Sequence, residues 1–149
     1  MAGPLEGYKI IDLTTMIAGP FATMLLGDQG ADVIKVENRG RGDHVRATAN
    51  KHSGFSASFL NNNRNKRSIT LDLKDDQGRS VLHRLATTAD VLVQNFRPGV
   101  VERLGISEEE IRPIAPQLIY VSMSGFGSKG PYVHKPVYDP IVQAVSGMA

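Results

Sequence analysis

The chain has 149 residues, of which 41% are hydrophobic, and it carries a formal net charge of +2. This length is enough for one domain with its own core, and the composition lies outside the range of disordered chains. Because the sequence has no cysteine, disulfides and thiolate zinc sites are excluded, and its four histidines show no metal-ligand spacing. We therefore expect a single domain without a bound metal.

Three further classes are disfavoured by what the sequence lacks. It has no tryptophan and no nucleic-acid-binding motif, so we do not expect DNA or RNA as a partner. The amino terminus lacks a charged region followed by an apolar one, and no apolar run approaches about 18 residues, so we expect no membrane association and a cytoplasmic location. The cations are concentrated between Lys35 and Arg67, which favours a small phosphorylated ligand over a long nucleic-acid groove.

The first forty residues predict a βαβ unit. A strand at Lys9–Leu13 is followed by a loop at Thr14–Pro20, and Pro20 suits the first turn of a helix. The helix should end near Gly27 and Gly30, before a second strand that reaches Glu37. Such a unit has parallel strands and a right-handed crossover.

Two irregular stretches follow. The segment from Asn38 to Gly54 is polar and too long for an ordinary connection, which favours a functional loop. Next, Phe55–Leu60 is predicted as a short helix with Phe55 and Phe59 on one side.

The stretch Asn61–Lys74 combines cations with a strand pattern. Its amide-rich first half carries Arg64, Lys66 and Arg67, and we predict a turn there. The second half alternates Ile69, Leu71 and Leu73, which predicts a half-buried strand. Solvated charges on a loop and an anion-binding turn are both open interpretations of these cations.

The second half of the chain continues the alternation of helices and strands. We predict helices at Lys74–Ala89, at Val100–Leu104, after a capping box formed by Ser107 and Glu110, and at Asp139–Ala149. The predicted strands are Lys9–Leu13, Val33–Glu37, Ser68–Leu73, Val91–Val93 and Leu118–Met123. This order predicts an α/β fold, Rossmann-like, with a mostly parallel sheet and flanking helices.

Candidate ligand groups follow three of the strands. Ile17, Ala18 and Gly19 stand at a helix amino terminus, where free N–H groups favour an anion or a developing oxyanion, although a plain tight turn explains them equally well. Asn95-Phe96-Arg97, with Arg103 farther on, offers a stacking face and a phosphate fork, but Asn95 is also a common turn residue. Since open α/β sheets bind ligands at the carboxyl ends of their strands, we expect a phosphate-bearing, partly aromatic ligand there.

Other familiar sites are not matched. The first turn lacks the glycine pattern of dinucleotide sites, and no phosphate loop ending in Lys-Ser or Lys-Thr occurs. Ser122 and Ser124 lack the nucleophile-elbow motif. Asp139 is a candidate for a functional carboxylate, and a helix N-cap is the alternative role.

Several short motifs, in order along nearly the whole chain, resemble the class III CoA-transferases, the formyl-CoA transferase-like family. They are Pro4-Leu5-Glu6-Gly7, Ala18-Gly19-Pro20, Gly30 to Glu37, Gly42-Asp43, Asn65 to Ile69 with Leu71 to Lys74, Asn95 to Gly99, Ser124 to Gly127, and Tyr138-Asp139. The resemblance implies that residues 1–149 are an amino-terminal, Rossmann-like domain that binds CoA, in an enzyme that forms interlocked homodimers.

The resemblance also implies roles for particular residues. Ile17 and Ala18 would lie beside the thioester, Asn38 or Arg39 would approach the phosphates, and Leu71, Asp72, Leu73 and Lys74 would line the adenine end. Asn95, Phe96, Arg97 and Arg103 would hold the pyrophosphate and pantetheine, and Lys135, Tyr138 and Asp139 would close over the arm. CoA or acyl-CoA would be a substrate, with no permanently bound cofactor and a carboxylic acid as the second substrate.

In this family an aspartate attacks the donor thioester, and CoA passes through an enzyme-bound intermediate to the acceptor acid. That aspartate belongs to a Gly-Asp step expected beyond residue 149, so no catalytic residue is assigned here. The apolar helix that reaches Ala149 also predicts a longer protein, with this chain inactive alone.

Two alternatives to the transferase remain. The related 2-methylacyl-CoA racemases place a histidine where Tyr138 stands, which favours the transferase, and a non-catalytic CoA-binding fragment is the other alternative. Ile17 replaces the glutamine of some formate- and oxalate-handling members, which disfavours those acids.

Overall fold

The computed structural model describes residues 3–48 and 51–149. The strands are β1 (Lys9–Asp12), β2 (Asp32–Asn38), β3 (Lys51–His52), β4 (Phe55–Ser56), β5 (Lys66–Leu71), β6 (Val91–Gln94) and β7 (Ile119–Ser122). The α-helices are α1 (Ala18–Asp28), α2 (Ala57–Asn63), α3 (Asp76–Ala86), α4 (Val100–Arg103), α5 (Glu108–Ile111) and α6 (Asp139–Ser146), and a 3-10 helix spans His44–Ala47.

Five strands form one sheet in the order β5-β2-β1-β6-β7. All four pairings are parallel, and Ile10 of the central strand β1 is in register with Val33 of β2 and Val91 of β6. The sheet thus grows outward on both sides of β1, as in doubly wound folds. The predicted α/β class and the identity of all five strands are confirmed, with ends that differ by one or two residues.

One face of the sheet carries the larger apolar core. Its strand residues are Ile11, Leu13, Val36, Leu71 and Leu92. Helix α3 covers them with Leu82 and Ala86, which are fully buried, and α4 and α5 add Val101 and Ile111. The spacing of Leu82 and Ala86 places them on one side of α3, which explains why this amphipathic helix was predictable.

The opposite face, under α1, is apolar at one end and charged at the other. Ile10, Val33 and Val93 form a small core there. Farther toward the carboxyl ends of the strands, Asp12 lies in register with Lys35, and both are buried. Burial of charge is unfavourable unless the charges are paired, so this end of the sheet must hold an internal network of ion pairs.

The prediction for residues 55–60 is wrong at its start. Phe55 belongs to the antiparallel hairpin β3-β4, in which His52 pairs with Phe55, and its ring is exposed. Ser53 and Gly54 form the two-residue loop with φ angles of 50° and 83°, as expected for a hairpin turn with two positive φ angles. The helix begins only at Ala57, after Ser56 caps it, and it buries Phe59.

The predicted basic turn before Ser68 is shorter than expected, since only Arg64 and Asn65 form it. Helix α2 continues through Asn63, and β5 begins at Lys66, so Lys66 and Arg67 are strand residues. In contrast, Ile69, Leu71 and Leu73 do join the same core, as their alternation predicted. The connection is short, with Asn65 at a φ of 59°.

Helix ends are set by local capping. The predicted capping box is confirmed, since the backbone N–H of Ser107 donates to the Glu110 carboxylate at 3.0 Å. Asp139 is the first residue of α6, and Tyr138 is its N-cap, which corrects the N-cap assignment of Asp139. Within the described residues, no helix combines the length and apolar composition needed to cross a membrane.

Candidate functional site

A cavity of about 860 Å³ opens at the carboxyl ends of β1, β2, β5 and β6. This is the edge of the sheet at which the sequence predicted a ligand. Its apolar wall consists of Leu13, Val36, Leu71, Leu73, Phe96 and Leu104. The size and the largely apolar wall are typical of a small-molecule site.

The polar part of the cavity is strongly cationic. Arg39, Arg41, Lys74 and Arg103 line it, and each is exposed. None of these four forms a salt bridge with any residue in 3–48 or 51–149. Because no described carboxylate neutralises these charges, the cavity favours an anionic ligand.

The two carboxylates in the cavity wall do not offset these cations, since each has its own internal partners. Glu37 accepts from Arg46 Nε and Nη2 at 2.7 Å, and from the Asp43 N–H and the Ser68 hydroxyl. Burial raises the pKa of Glu37, but these hydrogen bonds outweigh it and lower the pKa to about 2. Asp43 pairs with Lys35, whose Nζ lies 3.0 Å from Asp43 Oδ2.

A second buried pair lies beside the first. Asp12 Oδ2 accepts from Lys66 Nζ at 2.9 Å, and the Thr23 hydroxyl donates to the same oxygen. Burial raises the pKa of Asp12, but the nearby charges of Lys35 and Lys66 outweigh it and hold the pKa below its ordinary value. Lys66 is therefore part of the support beneath the site and is unavailable to a ligand.

The turn between β1 and α1 forms one end of the cavity through Thr14 and Thr15. Asn95 forms two hydrogen bonds with the backbone of Thr15. Its Oδ1 accepts from the Thr15 N–H at 2.9 Å, and its Nδ2 donates to the Thr15 carbonyl at 2.8 Å. Asp43 Oδ1 accepts from the next N–H, that of Met16, at 3.1 Å. After this turn α1 begins without a side-chain cap at Ile17, so its first N–H groups stay free.

Seven of the predicted ligand residues lie in the cavity wall. Asn38, Arg39, Lys74 and Arg103 provide its polar groups, and Leu71, Leu73 and Phe96 belong to its apolar part. They come from four separate stretches of the chain, which the parallel sheet brings to one edge.

The other eight lie outside that wall. Ile17 and Ala18 are exposed at the start of α1, and the Asp72 carboxylate accepts from the Lys74 N–H. Asn95 has both side-chain polar atoms bound to Thr15, and Arg97 is exposed.

The remaining three of these eight residues lie near the carboxyl end of the chain, where the structure leaves them open to solvent. Lys135, Tyr138 and Asp139 are all exposed, and Lys135 Nζ lies over the ring of Tyr132 at 3.9 Å.

Several residues that line the cavity had no predicted ligand role. Arg41, Gly42 and His44 belong to the loop after β2, and Val36 precedes it. The sequence of that loop did indicate a ligand site, since the loop is long and Arg41 adds to its excess of positive charge. The position of Val36 could not be assigned, because an apolar strand residue gives no indication of which end of the sheet is open.

The basic stretch at Arg64–Arg67 is not part of the cavity. Arg64 pairs with Asp28 at the end of α1, and Arg67 pairs with Asp32 at the start of β2, both at 2.5 Å. Lys66 is bound to Asp12. Each of these three cations thus has a carboxylate partner within the fold, and none of them lines the cavity.

The described residues include no group of three or more His, Asp or Glu side chains that could hold a metal ion. What the site offers chemically is a cationic rim, an apolar wall and a turn held by side-chain hydrogen bonds. These features suit the binding of a polyanion that carries an apolar arm.

Comparison with known proteins identifies the family. The model of CoA-transferase family III matches residues 5–149. The chain is 49% identical to acetyl-CoA:oxalate CoA-transferase from Acetobacter aceti, over 98% of this chain and 38% of that protein. It is 47% identical to human succinyl-CoA:glutarate CoA-transferase, over 97% of this chain and 33% of that protein.

A solved structure gives the same result for the fold. The crystal structure of a CAIB/BAIF family protein from Brucella suis superposes with a TM-score of 0.93 at 40% identity, and the match covers 99% of this chain and 40% of that one. The chain thus spans between a third and two fifths of the length of these relatives. With a family model that matches almost its entire length, the chain belongs to CoA-transferase family III.

Proposed function

We propose that this chain supplies the CoA-binding part of a CoA-transferase, which moves CoA from an acyl-CoA to a carboxylic acid. The observation that carries the proposal is the cavity at the carboxyl edge of the sheet, where four cations without carboxylate partners among the described residues surround an apolar wall. CoA has the matching chemistry, since its phosphates are anionic, its adenine has an aromatic face and its pantetheine arm carries methyl and methylene groups. Membership of CoA-transferase family III supports the same ligand.

The cations would bind the phosphates of CoA. Arg39 and Arg41 lie on the loop after β2, while Lys74 follows β5 and Arg103 ends α4. A guanidinium fork suits a phosphate bidentately, and an ammonium group acts as a point charge. Leu71, Leu73 and Phe96 would then contact the adenine or the pantetheine arm.

The other predicted contacts require the ligand to extend beyond the cavity. Ile17 and Ala18 would lie beside the thioester, and Lys135, Tyr138 and Asp139 would contact the arm from the exposed carboxyl-terminal region. Asp72, after β5, and Arg97, after β6, would contact the ligand from the ends of those strands. We assign these roles from the family resemblance alone.

The chemistry would be covalent catalysis by a carboxylate. A carboxylate oxygen attacks the thioester carbon, the C–S bond breaks, and CoA leaves as a thiolate. The thiolate then attacks the enzyme carbonyl of the resulting anhydride, which releases the donor acid and leaves an enzyme thioester. The acceptor carboxylate attacks this thioester, the C–S bond breaks, and CoA leaves again as a thiolate while a second anhydride forms. The thiolate then attacks the acceptor carbonyl of that anhydride, which releases the new acyl-CoA and restores the enzyme carboxylate.

We propose that the attacking carboxylate lies outside residues 1–149. Asp12, Asp28, Asp32 and Asp43 are each held in an ion pair. Asp139 is exposed, and its carboxylate accepts from the Gln143 amide at 2.5 Å. Among the described residues, Asp43 is the one aspartate in the cavity wall, and it is paired with Lys35.

We further propose a cytoplasmic homodimer. Exposed apolar side chains at Tyr138, Ile141, Val142, Val145 and Met148 support an assembly that covers them. The acids used by the relatives differ, as oxalate and glutarate show. Because Ile17 disfavours formate and oxalate, we place a larger carboxylic acid first in the assay.

The test uses the 149-residue chain and the continuous product of its gene. Each is incubated with acetyl-CoA or succinyl-CoA and a panel of acids that includes glutarate, succinate and oxalate, and the new acyl-CoA is measured. Hydroxylamine or borohydride then traps the enzyme-bound intermediate. We expect transfer by the continuous product, with the label on an aspartate that follows a glycine beyond residue 149.

Two outcomes would change the account. Label on Asp139, or full activity from residues 1–149, would mean that the nucleophile is misplaced. CoA binding without transfer to any acid would replace the transferase with a CoA-binding scaffold.

A further inference from the structure

Three consecutive N–H groups of the turn before α1 are each bound by a side chain from a different part of the fold. The Thr14 N–H donates to Asp12 Oδ1 at 2.9 Å, the Thr15 N–H to Asn95 Oδ1, and the Met16 N–H to Asp43 Oδ1. Two carbonyls are held as well, since Lys35 Nζ donates to the Thr14 carbonyl and Asn95 Nδ2 to that of Thr15. This density of side-chain support fixes the turn in one conformation.

The conformation being fixed is an uncommon one. Met16 has a φ of 72°, in the left-handed region that residues other than glycine rarely adopt. Such a residue keeps this conformation only where its surroundings determine it. The Met16 N–H is held by Asp43, which is 1% exposed and thus rigidly placed.

Asp43 also links the turn to the cationic loop. The same Oδ1 that accepts from Met16 accepts from the Val45 N–H at 3.0 Å and so caps the 3-10 helix. Its own N–H donates to Glu37, and Gly42, just before it, donates to the Asn38 carbonyl. The Asp43 carboxylate thus fixes the turn at one end of the cavity relative to the loop that carries Arg39 and Arg41.

Asn95 connects the turn to the part of the cavity wall that follows β6. It follows β6 and precedes Phe96, whose ring lines the cavity. Its side chain is half-buried, and its Oδ1 and Nδ2 are both used by Thr15. Asn95 itself is not among the residues that line the cavity, which favours support of the Thr15 backbone over contact with a ligand.

We infer that Asn95 and Asp43 are positioning residues for the transferase reaction. They hold the Thr14–Met16 turn, and through it the start of α1, at the correct distance from the phosphate-binding loop, without contacting CoA through their side chains. This inference rests on the proposed function. It predicts that their loss disturbs the reacting end of bound acyl-CoA more than the binding of its phosphates.

The test compares kcat with CoA affinity in the continuous gene product, using Asn95→Ala, Asn95→Asp, Asp43→Ala and Asp43→Asn. We expect the alanine variants to lose roughly 10- to 100-fold in kcat, because a small misplacement of a site has effects of that size. Their Kd for CoA, measured by calorimetry, should stay within about threefold of wild type. Asp43→Asn keeps an acceptor for Met16 and Val45 and should recover part of the lost kcat.

Arg103→Ala is the comparison, since it should raise the Kd for CoA. If Asn95→Ala raises the Kd as much as Arg103→Ala, Asn95 binds the ligand directly and the inference is wrong. Unchanged kcat in all four variants would also overturn it. A wild-type protein that neither binds CoA nor transfers it would overturn the proposed function itself.

Amide hydrogen exchange in the continuous gene product gives a second readout that needs no activity. Asn95→Ala should speed exchange at Thr15, and Asp43→Ala should speed it at Met16, while amides in β6 and α3 stay protected. Equal acceleration throughout would indicate general destabilisation, and unchanged exchange at the turn would show that these side chains do not hold it.

Discussion

Lys66 Nζ lies 2.9 Å from Asp12 Oδ2, and the side chains of both residues are almost completely buried beneath α1. The ammonium group also donates to the Pro20 carbonyl in α1 and to the Asn63 side chain in α2. One cation therefore joins the central strand, an outer strand and two helices.

We predict that Lys66→Met destabilises the protein by about 3 kcal/mol or more, because removal of one partner leaves a buried charge without compensation. Arg67→Met is the matched control in the same strand. Its pair with Asp32 is largely exposed, so its loss should cost about 1 kcal/mol or less. Urea unfolding of the two variants measures the difference.

The double variant Asp12→Asn with Lys66→Met separates charge from packing. The double variant should lose less stability than the sum of the losses in the two single variants, since neither charge is then left without its partner. Equal losses for Lys66→Met and Arg67→Met would contradict a structural role for the buried pair.

Stability in acid should depend on Glu37. Its pKa is about 2 in the folded chain against an ordinary value of 4.5. A lowered folded pKa means that the stabilisation is fully present above about pH 4.5 and is lost as the pH falls toward 2. At neutral pH the charged form contributes on the order of 3 kcal/mol.

Glu37→Gln tests this prediction through the free energy of unfolding at pH 7, 5, 4 and 3. The wild type should exceed the variant at pH 7, and the difference should shrink with each step below pH 5. A constant difference at all four values would show that the charge of Glu37 is not the cause.

Gly78 should resist a change that usually strengthens a helix. A Cβ at this position in α3 would overlap the carbonyl oxygen of Asp72. We therefore predict that Gly78→Ala lowers stability by about 1–3 kcal/mol, as overpacking does, despite the better helix propensity of alanine. Ser80→Ala, at an exposed position of the same helix, should leave stability unchanged or slightly raised, as thermal unfolding would show.

The sheet was predictable because buried parallel strands are rich in apolar residues, as β1, β2, β6 and β7 are. The edge strand β5 was predicted instead from the alternation of Ile69 and Leu71. The hairpin was missed because Phe55 and Phe59 are four residues apart, which matches a helix as well. The Ser53-Gly54 pair, a known signal for a two-residue hairpin loop, was the better guide.

The charged residues were harder to interpret. Lys66 looks like a ligand for an anion in the sequence, yet its partner Asp12 is 54 positions away. Only the parallel register brings the two together. The same limit applies to Asn95 and Thr15, which are 80 residues apart and exchange two hydrogen bonds.

CoA binding to the cavity is the central claim, and calorimetry of CoA with charge variants tests it most directly. The 149-residue chain and the continuous gene product are each titrated with CoA at concentrations up to about 1 mM, which corresponds to roughly 4 kcal/mol of binding free energy. Arg39→Ala, Lys74→Ala and Arg103→Ala should each weaken binding. Arg64→Ala should not, because its guanidinium pairs with Asp28 away from the cavity. Absence of binding to both wild-type proteins, or equal weakening by Arg64→Ala, would contradict the account.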